Sequence, residues 1–451
     1  MNNDDKQSFI IHNGNCLDVM KTMEDNSVDS IVTDPPYGLV GVSRNGSSQP
    51  GDLETPYGRS GPSKKRGFMG FEWDGQIPSV EIWKECLRVL KPGGHLLSFA
   101  GTRTQHRMAV NIEDAGFEIR DMISWVYGSG FPKSHNISKA IDKMAGVKRE
   151  VIGQNQVILN KQKKEFECGI RNVKSVMNKG APERNNGFVT LSADITKPAT
   201  PNAIQWEGWG TALKPAFEPI TVARKPVSEK TIAKNVLKHG TGGINIDGCR
   251  IELNGDYKCK ANGRPSQTGL SDNYNSEQAN QQDTKGRFPA NFIHDGSDEV
   301  EELFPNTKSG AIKKGTLAGT NNNLYGAYKG YKSEEFKKSE GSASRFFYCA
   351  KTSKTDRNEG LDDQLNNHPT VKPTKLMQYL VRLVTQPNGI VLDPFMGSGS
   401  TGKACKLEGF NFIGIDLDEN YCEIAEARIK LAEISYKNEE IKKQNTLERF
   451  M

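Results

Sequence analysis

Two apolar runs in this 451-residue chain each close on an acidic residue followed by proline. Ile31-Val32-Thr33 leads into Asp34-Pro35-Pro36-Tyr37, and Val391-Leu392 leads into Asp393-Pro394-Phe395-Met396-Gly397-Ser398-Gly399. A short apolar run halted by proline reads as a buried strand closing on a turn. Open α/β sheets hold their ligands at the C-terminal ends of such strands. With one of these turns near each end and a polar middle, the chain is constrained to build a single layered sheet from both ends.

The flanking rhythm agrees. Apolar strand signals over 9–12, 30–33, 95–99 and 119–126 alternate with helical spacing over 17–23, 80–90 and 105–115. Lys91-Pro92-Gly93-Gly94 reads as the stop of the 80–90 helix. The pattern returns late, with helices over 374–385, 400–407 and 419–432 and strands over 389–392 and 410–415. Such alternation predicts an α/β fold with a mostly parallel sheet buried on both faces. Between these ends the periodicity fails. Residues 133–205 form a polar, Lys- and Asn-rich insert, and 206–225 return one strand to the core. Residues 226–350 are rich in Gly, Asn and Ser, which predicts a loop-heavy region. The tail, 437–451, is charged and expected to fray.

Composition excludes some classes. With 25% charged residues and no apolar run near the roughly 20 residues of a membrane span, no membrane segment is expected. The polar, acidic start, Met1-Asn2-Asn3-Asp4-Asp5, does not read as a signal peptide, so the cytoplasm is the expected location. A net charge of +5 is compatible with nucleic acid without requiring it. Basic clusters at 63–66, 161–164 and 313–314 read mostly as solvated faces. The eight cysteines show no paired metal-ligand spacing, so no metal site is expected.

The first turn offers a carboxylate (Asp34), a stiff backbone (Pro35, Pro36) and an aromatic face (Tyr37). Those groups suit an amino group on a flat ring. A ring amine is a poor nucleophile because its lone pair is delocalised. Hydrogen bonds to a carboxylate and a backbone carbonyl would localise that pair and aim it. The second turn suits a nucleotide-like cofactor. Its glycines allow close backbone approach, Ser400 and Thr401 stand at a helix start that favours an anionic group, and Asp416 ends the next strand where ribose hydroxyls are held. Gly397 to Lys403 also reads as a phosphate-binding loop, but Ala404 stands where that motif needs a hydroxyl for magnesium.

Together the motifs resemble the amino-methylating DNA methyltransferases, and their order narrows the match to the circularly permuted β class. Gly14-Asn15-Cys16-Leu17 resembles that family's Gly-Asp-Cys-Leu, with Asn15 in place of Asp, and 368–373 (His-Pro-Thr-Val-Lys-Pro) resembles its HPTxKP segment. Segments 239–245, 286–291 and 345–348 resemble a phage and prophage subgroup. The resemblance implies a Rossmann-like, S-adenosylmethionine-dependent fold with a permuted seven-stranded, mostly parallel sheet. Residues 1–132 would be the catalytic half, 351–436 the cofactor half and 226–350 the target-recognition region. It implies Asp34, Pro35, Pro36 and Tyr37 as catalytic residues. The cofactor contacts would be Asn15, Cys16, Asp34, Thr370, Lys372, Asp393, Pro394, Phe395, Gly397, Gly399, Ser400, Thr401 and Asp416. Trp125, Phe131 and Lys133 would face the target base. The implied substrate is double-stranded DNA, methylated at adenine N6 or, alternatively, cytosine N4, with no metal; a homodimer is compatible with this. An RNA or protein amine methylase, a phosphate-loop NTPase and a non-catalytic DNA-binding protein are the more distant readings.

Overall fold

The computed structural model describes residues 9–38, 77–130, 134–156, 194–252, 286–309, 317–318, 322–323, 326–327, 331–332, 339–351, 355–361, 366, 368 and 370–448. They fall into two compact units, one made of 1–37, 77–128 and 217–451, the other of 38–76 and 129–216.

The first unit is built on a nine-stranded sheet. Its strands are β1 (Phe9–Asn13), β2 (Val28–Thr33), β3 (Leu90–Phe99), β4 (Glu118–Val126), β5 (Phe217–Arg224), β6 (Phe292–His294), β7 (Tyr348–Cys349), β8 (Ile390–Asp393) and β9 (Asn411–Asp416). They lie in the order β1-β9-β8-β2-β3-β5-β4-β6-β7. Only β5 runs antiparallel to its neighbours. Central strands flanked by crossover helices are buried on both faces, and every residue of β2 is buried. The C-terminal strands β8 and β9 extend one way and the N-terminal β2 and β3 the other. The direction of winding thus reverses between β8 and β2, where Val391 pairs with Ser30 and Leu392 with Ile31. Such a reversal leaves a crevice at the strand ends.

The helices of this unit are α1 (Cys16–Lys21), α2 (Val80–Val89), α3 (Gln105–Asp114), α4 (Ile232–His239), α5 (Thr374–Val384), α6 (Ser400–Glu408) and α7 (Glu419–Glu448), besides shorter turns. Helix α5 buries Leu376, Met377, Leu380, Val381, Leu383 and Val384, the spacing of one broad apolar face. Asp356, 18 residues earlier in the chain, covers its first turn, accepting from the Thr374 backbone N–H at 2.8 Å and the Thr374 hydroxyl at 2.6 Å.

Three expectations need correction. Among the described residues the sheet has nine strands rather than seven, because 226–350 contributes two short edge strands, β6 and β7; it also furnishes α4. That segment is therefore partly core. The helix before 91–94 does stop, at Val89, but the strand expected from 95 starts at Leu90 and absorbs the irregularity as a register shift against β2. Gly93 sits there at φ +81, where a Cβ would come 2.4 Å from Asn235 Nδ2. Finally, α7 continues past 432 to Glu448, through residues expected to fray.

The second unit holds helices Ile137–Met144 and Pro201–Gln205 and an antiparallel pair, Glu150–Gln154 with Asp194–Lys197. Buried Asp142 joins them, accepting from the backbone N–H groups of Ala199 and Thr200 at 3.0 Å each. Trp206 and Trp209 meet edge to face at 5.0 Å and are both exposed.

One buried group in the sheet sets an acid limit. Burial, helped by the Arg224 and Arg120 charges, pulls His95 on β3 down from 6.5 to about 4. Between those values the unfolded chain binds a proton that the folded chain refuses, so stability falls as pH falls through this window. His95 alone should remove up to roughly 3 kcal/mol by pH 4. Urea unfolding of His95→Gln across that range should show a flatter slope than the parent.

Candidate active site

The two strand-end turns meet. Thr33, the last residue of β2, donates its hydroxyl to Asp393 Oδ1 at 2.6 Å, although the two lie 360 residues apart in sequence. Asp34 follows directly. Its Oδ1 accepts from the Tyr37 hydroxyl at 2.8 Å, and its Oδ2 from the Lys372 ammonium at 2.6 Å.

A second carboxylate completes the cluster. Glu218, near the start of β5, lies 3.1 Å from Lys372 Nζ, 2.9 Å from the Tyr37 hydroxyl and 3.4 Å from the Tyr127 hydroxyl. Lys372 is 9% exposed and stands over the rings of Phe99 and Tyr37 at 4.9 and 5.4 Å. Burial alone would favour its neutral form, but the Asp34 and Glu218 carboxylates outweigh that and hold its pKa above the ordinary lysine value. Burial and the same two carboxylates keep the Tyr37 phenol protonated far beyond its usual range. The phenol has one proton and two carboxylates within reach, so it serves one at a time while accepting from Lys372 at 3.2 Å. The Thr104 hydroxyl donates to the Tyr37 carbonyl at 2.6 Å, which holds the Asp34 turn against the loop after β3.

The C-terminal turn is organised from inside. Asp393 is 2% exposed, and besides Thr33 it accepts from the Thr401 hydroxyl at 2.6 Å and the Phe395 N–H at 3.1 Å. Burial pushes its pKa up to about 6, against the pull of those hydrogen bonds. The fully buried Arg428 guanidinium bonds the Ser398 carbonyl at 2.5 Å and lies 3.3 Å from the Ser400 hydroxyl. On the outer side, Gly397 has φ +52, and its N–H donates to Asp416 Oδ2 at 2.8 Å. A Cβ there would lie 2.7 Å from His368 Nε2. Asp416 sits at the end of β9, where its carboxylate can face a ribose, and it retains lone pairs beyond those used by Gly397 and Asp418. A glycine-lined turn, a helix start and this carboxylate fit a nucleoside-bearing cofactor.

Several expected contacts are placed differently. Asp393 and Thr401 bond each other beneath the turn, and Ser400 faces Arg428, so their polar groups order the loop instead of facing a ligand. Pro394 is buried, and Phe395 packs edge-on to Trp83 at 6.4 Å. Asn15 caps α1 with its side-chain oxygen, which accepts from Leu17 N–H at 2.9 Å. Cys16 lies buried behind it, its thiol pushed up to about 11 by burial. The Thr370 side chain is exposed, while its backbone carbonyl meets His368 Nδ1 at 2.9 Å. Lys372, expected at the cofactor, bonds the Asp34 carboxylate. Trp125 is 4% exposed in the core, so packing occupies the side chain expected to face a base. Phe131, Lys133 and the basic clusters at 63–66, 161–164 and 313–314 lie outside the described residues.

Lys403 answers the phosphate-loop reading. Its ammonium is buried and paired with Asp356 and Glu359 at 2.7 Å each, so it does not extend toward a phosphate. Gly399 is constrained more tightly than its motif suggests. It has φ +76, and a Cβ would stand 2.7 Å from the Ala425 Cβ on α7. Gly399→Leu should therefore displace the turn and abolish measurable S-adenosylmethionine binding by calorimetry.

The profile of the N6/N4 methyltransferase family, described as DNA methylase, matches residues 28–427. The chain belongs to this family. It is 23% identical over 435 residues to the Type II methyltransferase M.HindIII of Haemophilus influenzae, covering 93% of this chain and 94% of that one. A shorter match, 41% over 63 residues, relates it to M.HinfI of Haemophilus influenzae, with 14% of this chain and 18% of that one covered. Among solved structures, the M1.HpyAVI complex with SAM aligns at 16% identity and a TM-score of 0.36, covering 93% of this chain and 99% of the other. The protein is thus an S-adenosylmethionine-dependent DNA methyltransferase with a Rossmann-like fold, and no helix among the described residues is long and apolar enough to cross a membrane.

Glu218 and Tyr127 were not foreseen as site residues. The signal available for Glu218 was a carboxylate set in the one apolar strand recovered from the polar middle, in Pro215-Ala216-Phe217-Glu218-Pro219.

Proposed function

We propose that the chain methylates the exocyclic amine of a base extruded from double-stranded DNA, with adenine N6 the preferred atom, as a member of the permuted β class. The observation that carries this reading is the Thr33–Asp393 hydrogen bond, which seats the Asp34 carboxylate beside the cofactor turn. When bound, the cofactor supplies an electrophilic methyl group on a sulfonium. The Gly397 turn, the start of α6 and Asp416 would hold it.

Asp34 accepts a hydrogen bond from the incoming amine, and the Pro35 carbonyl accepts a second, which localises the nitrogen lone pair toward the methyl. Each Asp34 oxygen accepts one hydrogen bond in this structure and keeps a further lone pair, so the amine can join or replace one of these partners. Lys372 can yield because Glu218 lies 3.1 Å from the same ammonium and keeps its charge compensated. Tyr37 borders the base pocket. Reaching Asp34 requires the base to leave its stack, which costs a few kcal/mol.

Sequence recognition was expected in 226–350. Since that segment furnishes β6, β7 and α4 of the core, we assign base reading to the second unit, whose exposed Trp206 and Trp209 suit contact with nucleic acid. Exchanging residues 129–216 for those of a related enzyme should move the methylated site without changing the methylated atom. Transfer of the site by exchanging 226–350 instead would return recognition to that segment.

The activity is tested by expressing the protein, digesting plasmid DNA to nucleosides and separating them by mass spectrometry. N6-methyldeoxyadenosine is expected. N4-methyldeoxycytidine alone would exclude adenine, and unmodified DNA would overturn the proposal.

A further inference from the structure

Three residues of the kinds that bind metals converge at the edge of the sheet. His294 ends β6, Cys349 pairs with it in parallel register on β7, and Glu301 ends the short helix Asp298–Glu301 between them in sequence. One ligand atom from each lies within 4.8 Å of the other two. Their wide spacing in sequence explains why a search for close Cys and His pairs finds nothing.

Two independent features point to a ligand. His294 is 1% exposed, and neither ring nitrogen reaches a hydrogen-bond partner in good geometry, the nearest polar neighbour being the Ser344 backbone. Buried imidazoles normally satisfy at least one nitrogen, by hydrogen bond or by coordination. The second feature is space. Gly296, at φ +67, sits beside the trio, and a Cβ there would fall 2.5 Å from Cys349 Sγ and 3.7 Å from Glu301 Oε1. Only glycine lets the chain turn this close to the thiol without crowding it.

We propose that His294, Glu301 and Cys349 bind a divalent cation of the zinc class. One nitrogen, one sulfur and one carboxylate oxygen suit a borderline-soft ion better than magnesium or calcium, which take oxygen ligands. Bonds of about 2.0–2.3 Å require the ligand atoms to draw in by roughly an ångström, which the exposed Glu301 carboxylate can supply. Water would complete the coordination. The ion would tie β6, β7 and the intervening helix together, a structural role separate from methyl transfer.

The test uses the full-length protein, stripped with a chelator and dialysed. Titration with Zn2+ should show one tight site, weakened at least tenfold in Glu301→Gln and Cys349→Ser. Co2+ should give a near-ultraviolet thiolate-to-metal band in the parent that Cys349→Ser lacks. Glu301 is exposed, so Glu301→Gln keeps the comparison valid if Cys349→Ser folds poorly. Absence of a tight site, or equal affinity in the parent and both variants, would overturn the proposal, as would a Co2+ band that survives in Cys349→Ser.

Discussion

Asp34→Ala should reduce methyl transfer by at least ~10²-fold while leaving S-adenosylmethionine affinity nearly unchanged. Losing one group that acts on the developing charge of a transition state costs on the order of 10²–10³ in turnover. The fold should tolerate the change, because Lys372 keeps Glu218 as a counter-ion at 3.1 Å and Tyr37 keeps it as a hydrogen-bond acceptor at 2.9 Å. Labelled-methyl transfer to duplex DNA and calorimetric titration with the cofactor separate the two quantities. Turnover close to the parent would remove Asp34 from the chemistry.

Lys372→Met should damage stability as well as activity. It leaves Asp34 and Glu218 facing each other across the Tyr37 hydroxyl with no cation between them. Breaking a buried pair by removing one partner costs about 3–5 kcal/mol, and partial solvent access at the two carboxylates places this case near ~3 kcal/mol. Adding Glu218→Gln removes one of the stranded charges, so the double variant should recover part of the loss. Glu218→Gln alone should remain folded but turn over more slowly, because Lys372 then has no second carboxylate to hold it when the amine takes Asp34. Urea unfolding of the three variants and the parent forms the cycle. Strictly additive changes would mean that the cluster does not act as a unit.

Much of the fold was readable because it is local. Helix α5 announces itself by apolar spacing, and β2 and β8 by short apolar runs stopped at Asp-Pro. The limits also have physical causes. Strands of two or three residues, such as β6 and β7, are too short to show a period, so 226–350 read as loop-heavy. Side-chain direction is equally hidden: Asp393 and Thr401 have the residue types that face a cofactor, yet they turn inward to bond each other. Trp125 shows the same ambiguity, since an aromatic at the end of a core strand can pack or protrude. Glu218 stayed out of view because its partner Tyr37 lies 181 residues away. Pairings at such distances are set by the assembled sheet, and nothing near either residue encodes them.

The bond between Thr33 and Asp393 also has a consequence for biosynthesis. On the ribosome, β2 and the Asp34 turn emerge early, but their neighbour β8 is not made until most of the chain has been translated. At ~5–20 residues per second, the interval is about 20 seconds to over a minute. Throughout it, a central strand destined to be buried along its whole length lacks the neighbour that covers one of its edges. The nascent protein is therefore most exposed to mispairing and to chaperone capture before β8 arrives, and fragments released before residue 393 should carry the Asp34 turn without any capacity to transfer a methyl group.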